Sequence, residues 1–417
     1  MKQSILFTKT RKEIGNDEVS LNASLLIRGG FIDKLTAGVY TYLPLGLRVI
    51  NKIQNIIREE MDKIGGQEIL MPALTPKEVW EKTKRWNNFD ALFKLSNIEG
   101  KEYALGATHE EIVTPLLKKY IFSYKDLPKY IYQIQTKFRN EARAKSGLLR
   151  GREFLMKDLY SFHADAADLD KYYEIVKLAY FNIFKRLKLD KITYLTLSSG
   201  GAFSKYSHEF QTLAKNGEDT IYLCEKCKIA YNKEVIDEIT QCEGCKLGKD
   251  KFKELKAIET GNIFKLGTRF SADFGFKYKD KNDKEQEIIM GCYGIGPSRI
   301  MGTIVEVFND NKGIIWPESI APFLVHLILI SKDNALAKKA EKLYDDLTKI
   351  GIQILYDDRD ETAGTKLNDS DLIGIPFRLI LSEKTAKTDS IEVKKRDSQK
   401  VEMIKIKKIG DYLKKAL

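Results

Sequence analysis

No apolar run in this chain approaches the roughly 20 residues that a membrane-crossing helix needs. The longest, Ala321 to Ile330, is interrupted by His326 and reads as a buried strand. The opening stretch, Met1 to Gly15, mixes polar and apolar residues and lacks the apolar centre of a secretory signal. These absences set aside a membrane span and a signal peptide, and a cytoplasmic protein with no membrane attachment is the expectation. No internal repeat or low-complexity tract is visible, so a repeat array is excluded. Cysteine is scarce, with five in the chain, and in a reducing cytosol they are not expected to form disulfides.

The 417 residues are 43% hydrophobic and 31% charged, enough for two or three domains with real cores. The formal net charge is +11. That balance suits a polyanionic partner such as nucleic acid, and equally suits a member of a Lys-rich, basic proteome. Four cysteines form two Cys-x-x-Cys pairs, Cys224/Cys227 and Cys242/Cys245, separated by 14 residues. Soft thiolates at that spacing fit a structural zinc site with all four positions filled; four unbound, reduced cysteines are the alternative. Lys226, Lys228 and Lys246 would offset the thiolate charge. Cys292 stands alone and reads as a small packed residue beside a Gly turn.

Periodicity outlines the elements. Leu47, Ile50, Ile53, Ile57, Met61 and Ile64 fall three or four apart and predict a helix over 46–64, stopped by Gly65-Gly66. The following EILMPAL predicts a short strand ending at Pro72. Residues 130–162 alternate on both sides of a loop, Ala142 to Leu148, that holds Arg143, Lys145 and Gly147; this predicts two antiparallel strands joined by a basic loop. A second amphipathic helix is expected over 168–187, and strands at 258–276 and 286–293. From Gly291, GCYGIGPSRIMGTIVEVF reads as a strand, a Gly-rich turn and a helix. Beyond a boundary at Trp316 to Pro322, alternating strand and helix signals describe a small α/β domain. The expected fold is thus α/β (α+β), with domains at 1–320 and 321–417 and a compositionally distinct, zinc-ribbon-like insert at about 219–256.

The chemistry concentrates in Phe138-Arg139-Asn140-Glu141 and, after the basic loop, Arg150-Gly-Arg-Glu-Phe154-Leu-Met-Lys-Asp158. Guanidinium forks match phosphate oxygens bidentately, and an aromatic face covers a purine. An ordinary salt-bridged hairpin has the same periodicity. Gly294-Ile-Gly296-Pro-Ser-Arg299 adds another arginine on a helix after a strand. It lacks the third glycine and the βαβ context of a dinucleotide turn, so NAD binding is rejected.

In order and spacing, these segments resemble the motifs of class II aminoacyl-tRNA synthetases. The helix and strand at about 37–74 look like motif 1, the dimer-forming element; the hairpin at about 136–162 looks like motif 2; residues 289–308 look like motif 3. AGVYTYLPLGLRVI (37–50), GATHEE (106–111), GREFLMKDLYSFH (151–163), GGAF with SHEFQ (200–211), NIFKLGTRFS (262–271), GCYGIGPSR (291–299) and DDRDETAGTKLNDSDLIGIPFRL (357–379) resemble bacterial-type prolyl-tRNA synthetases over nearly the whole chain. The last string resembles that family's anticodon-binding domain.

The resemblance implies an antiparallel-sheet catalytic domain that binds bent ATP, with Mg²⁺, L-proline and tRNA(Pro) as its other ligands, working as a homodimer through the motif 1 region. It implies that Arg139 bridges the α-phosphate and the substrate carboxylate. Arg150 and Arg299 would hold the outer phosphates, Phe154 would stack on adenine and Glu141 would read its edge. Thr108, Glu110 and His208 would line the proline pocket, with Glu110 on the secondary ammonium. Read by itself, Glu110 is better explained as a helix N-terminal residue favoured by the dipole. Arg143 would approach the acceptor end of tRNA, and Lys366 and Arg359 the anticodon. Glu259 is a candidate Mg²⁺ contact.

Two features depart from the family. The large editing insertion common in these enzymes is missing between Cys227 and Cys242, so mischarged alanyl-tRNA would need a separate trans-editing partner. Asn262 stands where His is common, Pro297 where Val is common, and Ala144, Lys145 and Ser146 replace the usual motif 2 loop residues. A class II synthetase for another amino acid, or a non-charging paralogue that kept the fold, is the alternative reading.

Overall fold

The computed structural model describes every residue except 14–19, 145, 202–204 and 417. Lys145 of the basic loop and part of the GGAF segment therefore lie outside the described residues. The chain forms two compact units, one of Thr36–Val39 and Ile53–Thr303, the other of Met1–Leu35, Tyr40–Lys52 and Ile304–Leu417.

The predicted first helix is α1 (Pro44–Lys63). Ile50, Ile53, Ile57 and Met61 of its predicted apolar stripe are buried, but Leu47 is 49% exposed. The buried face begins instead at Leu45, four residues before Val49, as a 3.6-residue period requires. The strand expected through Pro72 is shorter than read: only β1 (Gln67–Glu68) pairs along the sheet. Beyond it side chains take over the backbone, because Gln133 Oε1 accepts from Met71 N at 3.0 Å and Gln135 donates to the Met71 carbonyl.

The short helices α2 (Lys77–Lys82), α3 (Arg85–Asn88) and α4 (Glu110–Leu117) precede the predicted hairpin. Its strands are β2 (Lys129–Phe138) and β3 (Glu153–His163), antiparallel from Lys129↔Phe162 to Phe138↔Glu153. The helix α5 (Ala166–Arg186) follows, capped by Asp165, and buries Tyr172, Tyr173, Val176, Tyr180 and Ile183 on one face. Then come β4 (Thr193–Ser199), β5 (Tyr206–Leu213), β6 (Asp219–Leu223), β7 (Ala230–Asn232), β8 (Lys253–Gly267), α6 (Arg269–Asp273), β9 (Ile289–Ile295) and α7 (Pro297–Val307). The strand expected over 258–276 ends at Gly267, whose φ of +59° turns the chain into α6.

Nine strands form one sheet in the order β5-β4-β7-β6-β8-β9-β3-β2-β1. Its middle is antiparallel, and one row runs Glu209, Asn262, Gly294, Asp158, Gln133. Val113, Tyr160, Phe162, Phe270 and Met290 belong to one apolar cluster of this unit.

In the second unit the elements after Pro322 are β10 (Val325–Ile330), α8 (Asn334–Lys349), β11 (Ile354–Asp357), α9 (Ala363–Ile373), β12 (Phe377–Ser382), β13 (Ser390–Lys395), β14 (Val401–Lys405) and α10 (Ile409–Ala416). Their sheet order is β11-β10-β12-β13-β14, with β11, β10 and β12 parallel and the last two antiparallel. β14 and α10 lie in the Lys-rich end of the chain, where pattern reading predicts no element. Ile409 and Leu413 bury there and hold it to the core.

Candidate active site

A cleft of the larger unit, open to solvent, is lined by Arg139, Glu141, Arg150, Phe154, Glu259 and Arg299, among others. Arg139 leaves β2 just after its last paired residue; its guanidinium carbon lies 5.3 Å from the centre of the Phe154 ring, and its Nε is buried with no partner. Burial and the neighbouring Arg299 press its pKa down from the usual guanidinium value. Arg299, on the first turn of α7, donates through Nε to the Leu149 carbonyl at 2.8 Å and through Nη1 to Glu259 Oε2 at 3.0 Å. Two guanidiniums that repel one another while one lacks a partner make a place where an anion is favoured.

Arg150 is 47% exposed and pairs with Glu141, Nη2 to Oε2 at 2.9 Å. Each therefore faces the cleft already engaged with the other. Gly38, in the Thr36–Val39 segment, braces this loop. The Gly38 carbonyl accepts from Arg152 N at 2.8 Å, and a side chain at Gly38 would meet the Ala144 Cβ at 2.6 Å, at a φ of +76° that itself favours glycine. On the far wall, a side chain at Gly294 would strike Asn262 Oδ1 at 2.7 Å, and Asn262 Nδ2 donates to Glu259 Oε1 at 2.8 Å.

Glu110 sits at the start of α4 with its carboxylate buried. Thr108 Oγ1 donates to its Oε2 at 2.5 Å, the Cys292 thiol approaches Oε1 at 3.4 Å, and Arg85 Nη1 lies 3.4 Å from Oε2. Beneath it runs a buried network that pattern reading did not identify. His109 Nε2 meets the Pro72 carbonyl at 3.0 Å, so the ring's Nδ1 accepts from Lys137 Nζ at 2.5 Å. Lys137 pairs with Asp158 at 2.9 Å and holds that carboxyl below the usual range despite its burial. Burial, with the Lys137 charge behind it, lowers the His109 pKa to about 4, so His109 is a neutral relay between the two chain segments.

His208 is not joined to Glu110 by any contact among the described residues. Its Nδ1 meets the Tyr173 hydroxyl at 2.8 Å on β5, and burial lowers its pKa to about 4. Arg85, Glu111 and Lys137 went unread, and Asp158 was named only as the end of its motif, without a partner. The doubled acid of GATHEE hinted at Glu111, but nothing in the spacing pointed to Arg85.

Comparison with known proteins decides the family. Residues 93–308 match the model of the tRNA synthetase class II core domain (G, H, P, S and T), and residues 324–416 match that of an anticodon-binding domain. The proline–tRNA ligase of Ehrlichia chaffeensis is 38% identical over 435 residues, covering 100% of both chains. The chain belongs to the proline–tRNA ligase family. The family's ligase from a Sulfurihydrogenibium species is 35% identical, covering 99% of each chain, but the alignment runs over 562 positions. That longer ligase carries residues with no counterpart in the 417 here. Among solved structures, prolyl-tRNA synthetase of Cryptosporidium parvum complexed with L-proline and AMP superposes with a TM-score of 0.76 at 20% identity, covering 95% of this chain and 77% of the other. This likeness shows the shared ligase fold.

Within this family member the four paired cysteines converge: all their sulfurs lie within 4.8 Å of one another, and Cys224 and Cys245 are 3.6 Å apart. Tetrahedral zinc with Zn–S bonds of about 2.3 Å requires sulfurs roughly 3.7–3.8 Å apart, so the donor set fits. The two turns are copies of each other. Lys228 N bonds the Cys224 carbonyl at 2.8 Å and Lys246 N the Cys242 carbonyl at 2.9 Å, both lysines at a φ of +60°.

The three basic residues tied by position to tRNA differ in state. Arg143 is exposed. Arg359 is clamped by Asp357 at 2.7 Å and Asp369 at 2.9 Å, and Lys366 is buried with Nζ on the Leu329 carbonyl at 2.8 Å. Among the described residues no helix is long and apolar enough to cross a membrane.

Proposed function

We propose that this chain activates L-proline with ATP to prolyl-adenylate and transfers the prolyl group to tRNA(Pro), as the names of its full-length relatives indicate. The observation that carries the reading is the buried Arg139 Nε with no partner, on a guanidinium that lies over the Phe154 ring and feels the charge of Arg299. In the first step the proline carboxylate attacks the α-phosphorus and pyrophosphate leaves. A carboxylate is already a nucleophile, so no side chain need take a proton, and catalysis is positioning plus charge neutralisation. Arg139 binds the α-phosphate and the carboxylate. Arg299 and Arg150 bind the outer phosphates, Phe154 stacks on adenine and Glu141 meets its edge. Mg²⁺ bound with the nucleotide supplies further charge neutralisation, and Glu259 is the residue that would meet it.

Thr108, Glu110 and His208 line the amino-acid pocket, Glu110 as counter-ion of the secondary ammonium, since a buried cation needs a carboxylate. Cys224, Cys227, Cys242 and Cys245 hold a structural zinc. Arg143 meets the acceptor end. Lys366 and Arg359 belong to the anticodon end, where direct RNA contact requires exchange of their internal bonds. The exposed Leu70, next to the edge strand β1, supports a homodimer through the motif 1 region. Residues 1–320 form the catalytic domain and 321–417 the anticodon-binding domain. The protein works in the cytoplasm beside a separate trans-editing protein.

ATP–pyrophosphate exchange with each of the twenty amino acids, without tRNA, tests the reading. Strong exchange with proline and weak exchange with alanine are expected. A folded protein that exchanges with none would be a non-charging paralogue.

A further inference from the structure

Glu110 and Glu111 are consecutive, and one guanidinium serves both. Arg85 Nη1 lies 2.9 Å from Glu111 Oε1 and 3.4 Å from Glu110 Oε2. The rings of Phe89, Trp80 and Phe270 stand around it, their centres 4.6, 5.5 and 5.8 Å from its carbon. Both carboxylates are out of solvent. Two carboxylates against one arginine leave one negative charge in excess, which is costly at low dielectric. Either a proton or an incoming cation can neutralise it.

The geometry divides those roles. Glu110 is the carboxylate beside Thr108 and Cys292, whereas Glu111 lies behind it. Glu111 Oε1 is held by Arg85 and by Thr83 Oγ1 at 2.9 Å, and its Oε2 is buried with no partner. The Thr83 hydroxyl has one proton and two acceptors in reach, Glu111 and the Trp80 carbonyl at 3.1 Å. With Glu111 ionised, Thr83 donates to it. With Glu111 protonated, Thr83 accepts from it and donates to Trp80. The Thr83 bond to Oε1 persists in both charge states without moving a heavy atom.

The charged groups acting on Glu111 are Arg85 from α3 and Glu110 from its own helix. The end of α2 contributes the uncharged Thr83, and α6 contributes Phe270 against the guanidinium. Burial pushes the Glu111 carboxyl up to about 7, with Arg85 pulling against it and the Glu110 charge adding to it.

We propose that Arg85 and Glu111 are positioning residues for amine recognition: ionised Glu111 keeps the short Arg85 bond away from Glu110, and a cation bound at Glu110 favours ionised Glu111 in return, so amino-acid binding expels a proton from the cluster. The inference rests on the assignment of Glu110 to the substrate ammonium. Without the Glu111 charge, Arg85 closes on Glu110 and the ammonium meets an ion pair in place of a carboxylate. Cation and proton compete, so the amino acid binds more tightly as pH rises through the range around 7 and levels off above it.

The test is the KM for proline in pyrophosphate exchange from about pH 6 to 8.5, where the proline nitrogen stays protonated, for the native chain and for Glu111→Gln, Glu111→Asp and Glu110→Gln. The native KM should fall as pH rises. Glu111→Gln should raise it about tenfold or more at high pH and flatten its pH dependence, with the KM for ATP unmoved, and Glu111→Asp should restore part of the slope. Calorimetry of proline binding in two buffers of different ionisation heat should show release of up to about one proton near neutral pH in the native chain and none in Glu111→Gln. Glu209 is also raised to about 7, but it neighbours Glu259 of the nucleotide cleft and would register in the KM for ATP. A pH dependence that survives in Glu111→Gln overturns the inference. If that variant does not fold, buffer-independent heats in the native chain overturn it equally. A Glu110→Gln variant with the native KM for proline would instead overturn the assignment of Glu110.

Discussion

Asn232 Nδ2 donates to Glu209 Oε2 across 3.1 Å, and this bond connects the strand after the first cysteine pair to a carboxylate that neighbours Glu259 of the cleft. Asn232 ends β7, the short strand that follows the first cysteine pair and inserts between β4 and β6. Ser198 and Gln211 complete the donors around Glu209, whose carboxyl is pushed up to about 7 by burial and by the nearby Glu259. Losing one donor leaves a largely buried carboxyl under-satisfied, a cost of about 1–3 kcal/mol.

Removal of the proposed zinc should therefore be felt in two places. The purified chain should carry about one zinc per chain, and Cys242→Ser should lose it. Chelation should lower the melting temperature and raise the KM for ATP more than the KM for proline. Elemental analysis with calorimetry and exchange kinetics checks this, and an unchanged KM for ATP in metal-free, folded protein would separate the knuckles from the cleft.

Arg139→Ala should cut proline-dependent exchange by roughly 10²–10³-fold, the scale of losing one preorganised charge-stabilising donor. Arg150→Ala should cost much less, because its side chain is half exposed and already paired with Glu141. Equal losses in single-turnover adenylate formation would contradict the burial argument.

All four histidines of the chain are held below their ordinary value of about 6.5. Burial brings His109, His208 and His326 to about 4 each. The folded chain binds fewer protons than the unfolded one between those limits, so stability is full above about pH 6.5 and falls as pH drops toward 4. Each such group contributes about 1.4 kcal/mol per pH unit within the window. Denaturant midpoints at successive pH values measure the slope, and His326→Gln should reduce it.

Proline and alanine differ by a few methylenes, worth only about 1–3 kcal/mol in a pocket. With no editing insertion between Cys227 and Cys242, the chain should form some alanyl-tRNA(Pro) and fail to hydrolyse it. Incubation with preformed Ala-tRNA(Pro) reads this directly; rapid deacylation by the pure protein would refute it.

The hairpin of β2 and β3 was legible because strand alternation and a basic loop are local properties; its register came from the structure. So were α1, α5 and the two cysteine turns, which depend on residues a few positions apart. The error at Leu47 has the same origin: a spacing of three or four admits two stripes, and only packing chose the one through Leu45.

By itself, the sequence determined the chemistry available: arginines on paired strands, a Thr-His-Glu-Glu turn, and four thiols in two matched turns. These are fixed by residue type and short-range geometry. Only the tertiary structure decided the partners. It set Arg85 between Glu110 and Glu111, left Arg139 Nε with no partner, closed His109, Lys137 and Asp158 into one network, and turned Lys366 inward. The physical reason is burial. A charge removed from water must take whatever counter-charge the fold brings to it, and that neighbour is distant in sequence.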